Sequence, residues 1–103
     1  MKLLTQAQIT KLLKNGANPG QDHAPVVKLF TPDAGATWLL SEIDPEDPDI
    51  AFGLCDLGLG FAELGSVSLT EISQIRGHYG LPVERDLHAT FDRPMSYYAS
   101  LPC

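Results

Sequence analysis

Proline and glycine cut the middle of this chain into short apolar runs, and no other feature constrains its fold as strongly. Val26 to Phe30 ends at Thr31-Pro32-Asp33-Ala34-Gly35, where Pro and Gly occupy turn-compatible positions, so a hairpin into Thr37 to Ile43 is expected. Asp44-Pro45-Glu46-Asp47-Pro48-Asp49 carries two prolines that remove ladder donors, so it reads as an exposed loop and not as central strand. Ile50 to Asp56 returns as a strand, and the turn Leu57-Gly58-Leu59-Gly60 leads to Phe61 to Val67 as another. In the second of these strands Trp38, Leu40 and Glu42 alternate with Thr37, Leu39 and Ser41. Neither face is strongly polar, so both can be covered.

Helices flank this meander. Leu3 to Asn15 carries Ile9, Leu12 and Leu13 at helical spacing, with Thr5 and Gln8 placed as a capping box and Gly16 suited to a left-handed C-terminal position. Ala17 to Pro25 is rich in turn formers and reads as loop. Ser68-Leu69-Thr70-Glu71 is a second capping box, opening a helix through Ile75 that Gly77 stops. Val83 to Phe91 reads as extended, and Pro94 favours the first turn of a short helix holding Tyr97 and Tyr98. The expected fold is α+β: a small antiparallel sheet of about four strands, an N-terminal helix, a second helix after the meander and a short C-terminal helix.

At 103 residues, 44% of them hydrophobic, residues 1–103 form a single globular domain. A domain of this size buries roughly two-thirds of its unfolded surface, enough for one core but not for a deep walled active site as well. No apolar run approaches the roughly 20 residues of a membrane span, and the first sixteen residues lack the apolar run and cleavage site of a signal peptide. A cytoplasmic location and no membrane partner are expected. Cys55 and Cys103 fit a reducing compartment better than a disulfide framework, and Cys55 reads as a small buried hydrophobe.

The net charge of −6 argues against direct contact with nucleic acid, which needs Lys and Arg against the phosphates. The charge is also uneven. Between Leu29 and Ile75 there is no Lys or Arg, yet the span holds Asp33, Glu42, Asp44, Glu46, Asp47, Asp49, Asp56, Glu63 and Glu71. Carboxylates spaced along strands and loops can imitate phosphates and steer encounter with a basic groove. Asp44, Glu46, Asp47, Asp49, Asp56 and Glu63 are the contact acids on that reading, and a basic protein surface is the partner. The plainer reading is a solvated face that confers solubility. The densest acids do not follow the calcium-loop pattern, and Pro45 and Pro48 stiffen the loop in the wrong places, so no metal is expected.

Glu84, Arg85, Asp86 and His88 form a second polar set. On an extended segment Glu84, Asp86 and His88 share a face opposite Arg85 and Leu87, an arrangement that can orient a general base. The plainer reading is an exposed face or an Arg85–carboxylate pair. No nucleophile accompanies the set. The glycines form neither a dinucleotide fingerprint nor a phosphate loop, and His23, His78 and His88 match no zinc spacing. No catalytic residue and no cofactor is assigned.

The blocks VVKLFTPDAGATWLLSEIDPEDPDIAFGL and ELGSVSLTEISQIRGHYGLPVERDLH, with Met1-Lys2-Leu3-Leu4-Thr5 at the start, resemble the bacterial family called Domain of Unknown Function 2958. That resemblance brings no activity and no catalytic residue. It implies accessory cargo of plasmids, integrative elements and phages, where small acidic proteins inhibit host machinery. The resulting expectation is a protein that binds and inhibits a host nucleic-acid-binding complex (anti-CRISPR or anti-restriction) by imitating nucleic acid. The alternatives are a small metal-dependent hydrolase, or an adaptor in plasmid transfer or maintenance, which would show an exposed apolar patch. Uncovered sheet edges also offer a route to a homodimer.

Overall fold

In the computed structural model, which describes residues 3–101, Thr5 caps α1 (Gln6–Gly16) as its spacing predicts. Its hydroxyl accepts the Gln8 N–H at 3.1 Å, and the Gln8 side chain accepts the Thr5 N–H at 3.0 Å. Five antiparallel strands follow in the spatial order β4-β3-β2-β1-β5: β1 (Val27–Phe30), β2 (Thr37–Asp44), β3 (Asp47–Asp56), β4 (Ala62–Ser68) and β5 (Glu84–Arg85). Between β4 and β5 lies α2 (Leu69–Gln74), and α3 (Met95–Ala99) is the last element among the described residues. The architecture is α+β, as the sequence predicts.

One sheet face packs on α1. Leu12 of the helix is fully buried with Val27, Leu29, Leu40, Ile43 and Ala51, and Trp38 joins the same core. Fully burying a side chain of this size stabilises by about 1.5–3 kcal/mol, so this layer dominates the fold's free energy. The opposite face is covered only in part: Phe91 and Tyr98 stand edge to face, and with Leu101 they line a cavity over Leu39 and Leu54.

Four local expectations are corrected. Gly16 is helical rather than left-handed, and its missing Cβ is a packing requirement: a Cβ there would lie 1.9 Å from the Ile43 carbonyl oxygen. The proline-rich stretch is a tight hairpin and not an open loop. Pro45 and Glu46 form the tip, Asp44 pairs with Asp47, and Pro48 and Asp49 fall in the register shift before the ladder resumes at Ile43–Ala51, where a ladder donor is not needed. The segment from Val83 is extended only through β5, because Leu87 and His88 turn the chain away. Gly77, in turn, does not end α2, which stops at Gln74 with Ile75 extended.

A bulge explains a buried polar pair. The β2–β3 register shifts between Leu40 and Glu42, which takes Ser41 out of regular pairing. The buried Asn15 amide reaches from α1 and donates to the Ser41 carbonyl at 3.0 Å. A backbone acceptor that the sheet leaves free is thereby satisfied.

Candidate functional site

Strand direction sorts the loops onto two ends of the sheet. The β2–β3 hairpin tip (Pro45, Glu46) lies at one end. The β1–β2 turn, the β3–β4 turn and the segment entering β5 gather at the other. At about 3.3 Å per residue, β3 alone separates Asp47 from Asp56 by roughly 30 Å.

At the first end Asp44, Glu46 and Asp47 are exposed, and the Asp44 carboxylate accepts the Glu46 N–H at 2.9 Å, which stiffens the tip. No ion pair reaches these acids among the described residues. Asp49 stands apart from them in role. Its Oδ2 accepts the Ser68 hydroxyl at 2.6 Å, and its Oδ1 accepts the Thr70 amide at 2.9 Å and hydroxyl at 2.6 Å. Those bonds, Ser68 first, hold its carboxyl below the usual aspartate range. Asp49 thus closes the N-terminus of α2 together with Ser68, whose hydroxyl accepts the Glu71 N–H. Asp56 shapes the β3–β4 turn at the far end by accepting the Gly58 N–H at 2.9 Å, and Glu63 is exposed on β4. The nine acids between Leu29 and Ile75 therefore do not share one surface.

Glu84, Asp86 and His88 each have partners of their own. Glu84 lines a cavity with Leu3, Ser73, Arg76, Pro82 and Val83. Arg85 donates to the Leu3 carbonyl at 3.3 Å. Asp86 sits 3.9 Å from the Lys28 ammonium and accepts the backbone N–H of His88, whose side chain belongs to an exposed turn residue. These groups hold the sheet edge in place. Among the described residues no group of three or more His, Cys, Asp or Glu could hold a metal ion. Cys55 is half-buried against the core, and burial raises its thiol pKa, which keeps it a weak nucleophile.

The second end carries what the acids do not. In its β1–β2 turn the Thr31 hydroxyl accepts the Ala36 N–H at 2.9 Å, and the Thr31 N–H donates to the Ala36 carbonyl. From this closed turn Asp33 reaches the loop after α2. One of its oxygens accepts the Tyr79 N–H at 2.6 Å and the Leu81 N–H at 3.3 Å. The other is pressed over Gly77, where a Cβ would lie 1.5 Å from it, and is buried without a hydrogen-bond partner among the described residues. The loop also pairs with itself, Arg76 opposite Pro82 and the Gly77 N–H on the Leu81 carbonyl. On the other side of the turn Gly35 lies beside Gly58: a Cβ on Gly58 would come within 3.3 Å of the Gly35 carbonyl oxygen, and its φ of +79° is one that only glycine adopts readily.

Three interlocked loops thus make a fixed platform, and their large apolar side chains point into water. Tyr79 is 86% exposed, Leu59 69%, Leu57 57%, and Phe61 and Leu81 are exposed as well. An apolar group left in water by a folded backbone gains free energy only when something covers it. The arrangement suits a protein-docking surface: a rigid base, an aromatic anchor with an amphipathic ring, and aliphatic neighbours. The sequence signal was legible in Leu57-Gly58-Leu59-Gly60-Phe61 and His78-Tyr79-Gly80-Leu81, where apolar residues alternate with glycines inside turns.

No helix among the described residues is long and apolar enough to cross a membrane. Comparisons with curated proteins and with solved structures each return no match. A family model described as "Protein of unknown function (DUF2958)" matches residues 3–102, nearly the whole chain. The chain belongs to that family.

Proposed function

We propose that this chain is a non-enzymatic binding protein that docks a protein partner through the loop end built on Asp33. The observation that carries this reading is the display of Leu57, Leu59, Phe61, Tyr79 and Leu81 on loops that hydrogen bonds and glycine contacts hold fixed. Preorganised aromatic and aliphatic side chains lose little entropy on binding, which is what makes such residues strong anchors. The acidic hairpin at the opposite end favours a partner with basic surface. A second reading rests on it: Asp44, Glu46 and Asp47 imitate phosphates and occupy the nucleic-acid groove of a host defence complex, inhibiting it. A hydrolase built on Glu84, Asp86 and His88 has no support in this arrangement.

The two readings separate in a capture experiment from bacterial host lysate. Wild type is compared with a Leu59→Ser/Tyr79→Ser variant and with an Asp44→Asn/Glu46→Gln/Asp47→Asn variant, each at low and high salt. Docking through the loop end predicts loss of the partner with the first variant and retention at high salt. Retention by the first variant, with loss by the second and loss at high salt, would establish phosphate mimicry instead.

A further inference from the structure

We infer that β4 is a self-pairing edge, through which two copies of this chain join their sheets about a two-fold axis at Gly65. The two edges of the sheet differ. β5 is two residues long and its chain turns away at once, so it offers no ladder to a second strand. β4 spans seven residues, Ala62–Ser68, and pairs with β3 in unbroken register from Ile50–Ser68 to Asp56–Ala62. An antiparallel strand of this kind turns alternate N–H and C=O groups outward. Proteins usually blunt such an edge with lysine, proline or a bulge, and β4 has none of these.

The occupant follows from the strand's own sequence. An antiparallel copy centred on Gly65 sets Glu63 against Val67 of the second copy and Leu64 against its Ser66. The only charge on β4 therefore meets an apolar side chain and not another carboxylate. Gly65 meets Gly65 on the axis, where a Cβ would meet nothing within 4 Å in the single chain. This centring satisfies the ladder whichever set of alternate groups faces outward, because residue 65 can be either a hydrogen-bonded or a non-hydrogen-bonded pair. The same axis brings the two exposed Leu64 side chains to a diagonal separation of roughly 7–8 Å, within reach of each other. It also runs Phe61, another exposed residue, alongside Leu69 at the start of α2 in the second copy. The contact is isologous and the far edge is short, so association stops at two.

This inference rests on β4 and stands apart from the loop-end proposal. Its test is the mass of the purified chain by light scattering and sedimentation equilibrium, from micromolar to millimolar concentration. Leu64→Lys/Ser66→Lys is measured beside wild type. Both positions are exposed, so the monomer fold is retained, and circular dichroism confirms that. Wild type should show a concentration-dependent dimer. The double variant should raise its dissociation constant about tenfold or more, because lysine then opposes lysine twice across the axis. A wild type that stays monomeric throughout, or a variant that dimerises as well as wild type, overturns it. A wild-type monomer that instead binds an extended peptide would assign the edge to a foreign strand.

Discussion

The carboxylate of Asp33 accepts the backbone N–H of Tyr79 at 2.6 Å across 46 residues of sequence, and by that bond a turn between two strands fixes the most exposed aromatic ring of the fold. Gly77 makes the approach feasible, since any side chain there would occupy the carboxylate's place. The pair predicts a specific non-additivity. Asp33→Ala should destabilise by about 2 kcal/mol, the scale of charged hydrogen bonds to backbone N–H. Gly77→Ala should destabilise the wild type, yet cost clearly less in the Asp33→Ala background, where the clash is gone. Urea unfolding of the four proteins measures the coupling. A coupling energy of zero would show that the two residues do not share this space.

The buried Asn15–Ser41 link makes a second prediction. Asn15→Ala leaves the Ser41 carbonyl buried without its donor and should cost about 1–3 kcal/mol. Gly16→Ala should cost at least as much, because the obstructing atom is the Ile43 carbonyl and not a flexible side chain. At a concentration that keeps the chain monomeric, Gly65→Ala, whose Cβ would meet nothing within 4 Å, is the control and should stay within about 0.5 kcal/mol of wild type. Denaturant midpoints at unchanged m-value check all three.

Asp49 predicts a pH dependence. Its folded pKa is lowered by Ser68 and Thr70, so the native state binds its proton less readily than the unfolded chain does. The stability it contributes is full above the ordinary aspartate value of 3.8 and is lost as pH falls through the lower folded value. Asp49→Asn should therefore be less stable than wild type near neutrality, and the gap should narrow in acid. Thermal melts of both proteins down an acid series read it. A gap that stays constant across that series would mean the carboxylate's charge plays no part.

Tyr79→Ala and Leu59→Ser should leave the melting temperature within a degree or two of wild type, since neither side chain is covered in the folded chain. Both should weaken partner binding strongly, as anchors at an interface do. Calorimetric melts beside an affinity measurement on the captured partner separate the two effects. A variant that loses stability and binding together would mark Tyr79 as part of the fold and not of the docking surface.

The elements of the fold were legible in the sequence wherever period and punctuation acted locally. Thr5 and Gln8 announced α1, and Pro32 with Gly35 announced the β1–β2 turn. What failed depended on distant neighbours. Gly16 looked like a helix stop because nothing local shows that the Ile43 carbonyl lies against it. Pro48 looked like a loop residue because the bulge that accommodates it is a property of strand pairing. The acids misled for the same reason. A carboxylate's sequence neighbours do not show that Asp33 holds Tyr79, that Asp49 caps α2, or that Asp22 accepts the Ser96 N–H and hydroxyl at the start of α3. The opposite ends of β3 then divide the remaining acids in space, although they are continuous in the chain.

The central claim, that the loop end carries the partner, is tested most directly by photo-cross-linking from single positions in the assembled complex. A photoreactive phenylalanine analogue replaces Tyr79 in one protein and Glu46 in another, and each is irradiated with the captured partner. Docking through the loop end predicts a cross-linked product from position 79 and none from position 46. A product from position 46 alone would place the partner on the acidic hairpin and contradict the account.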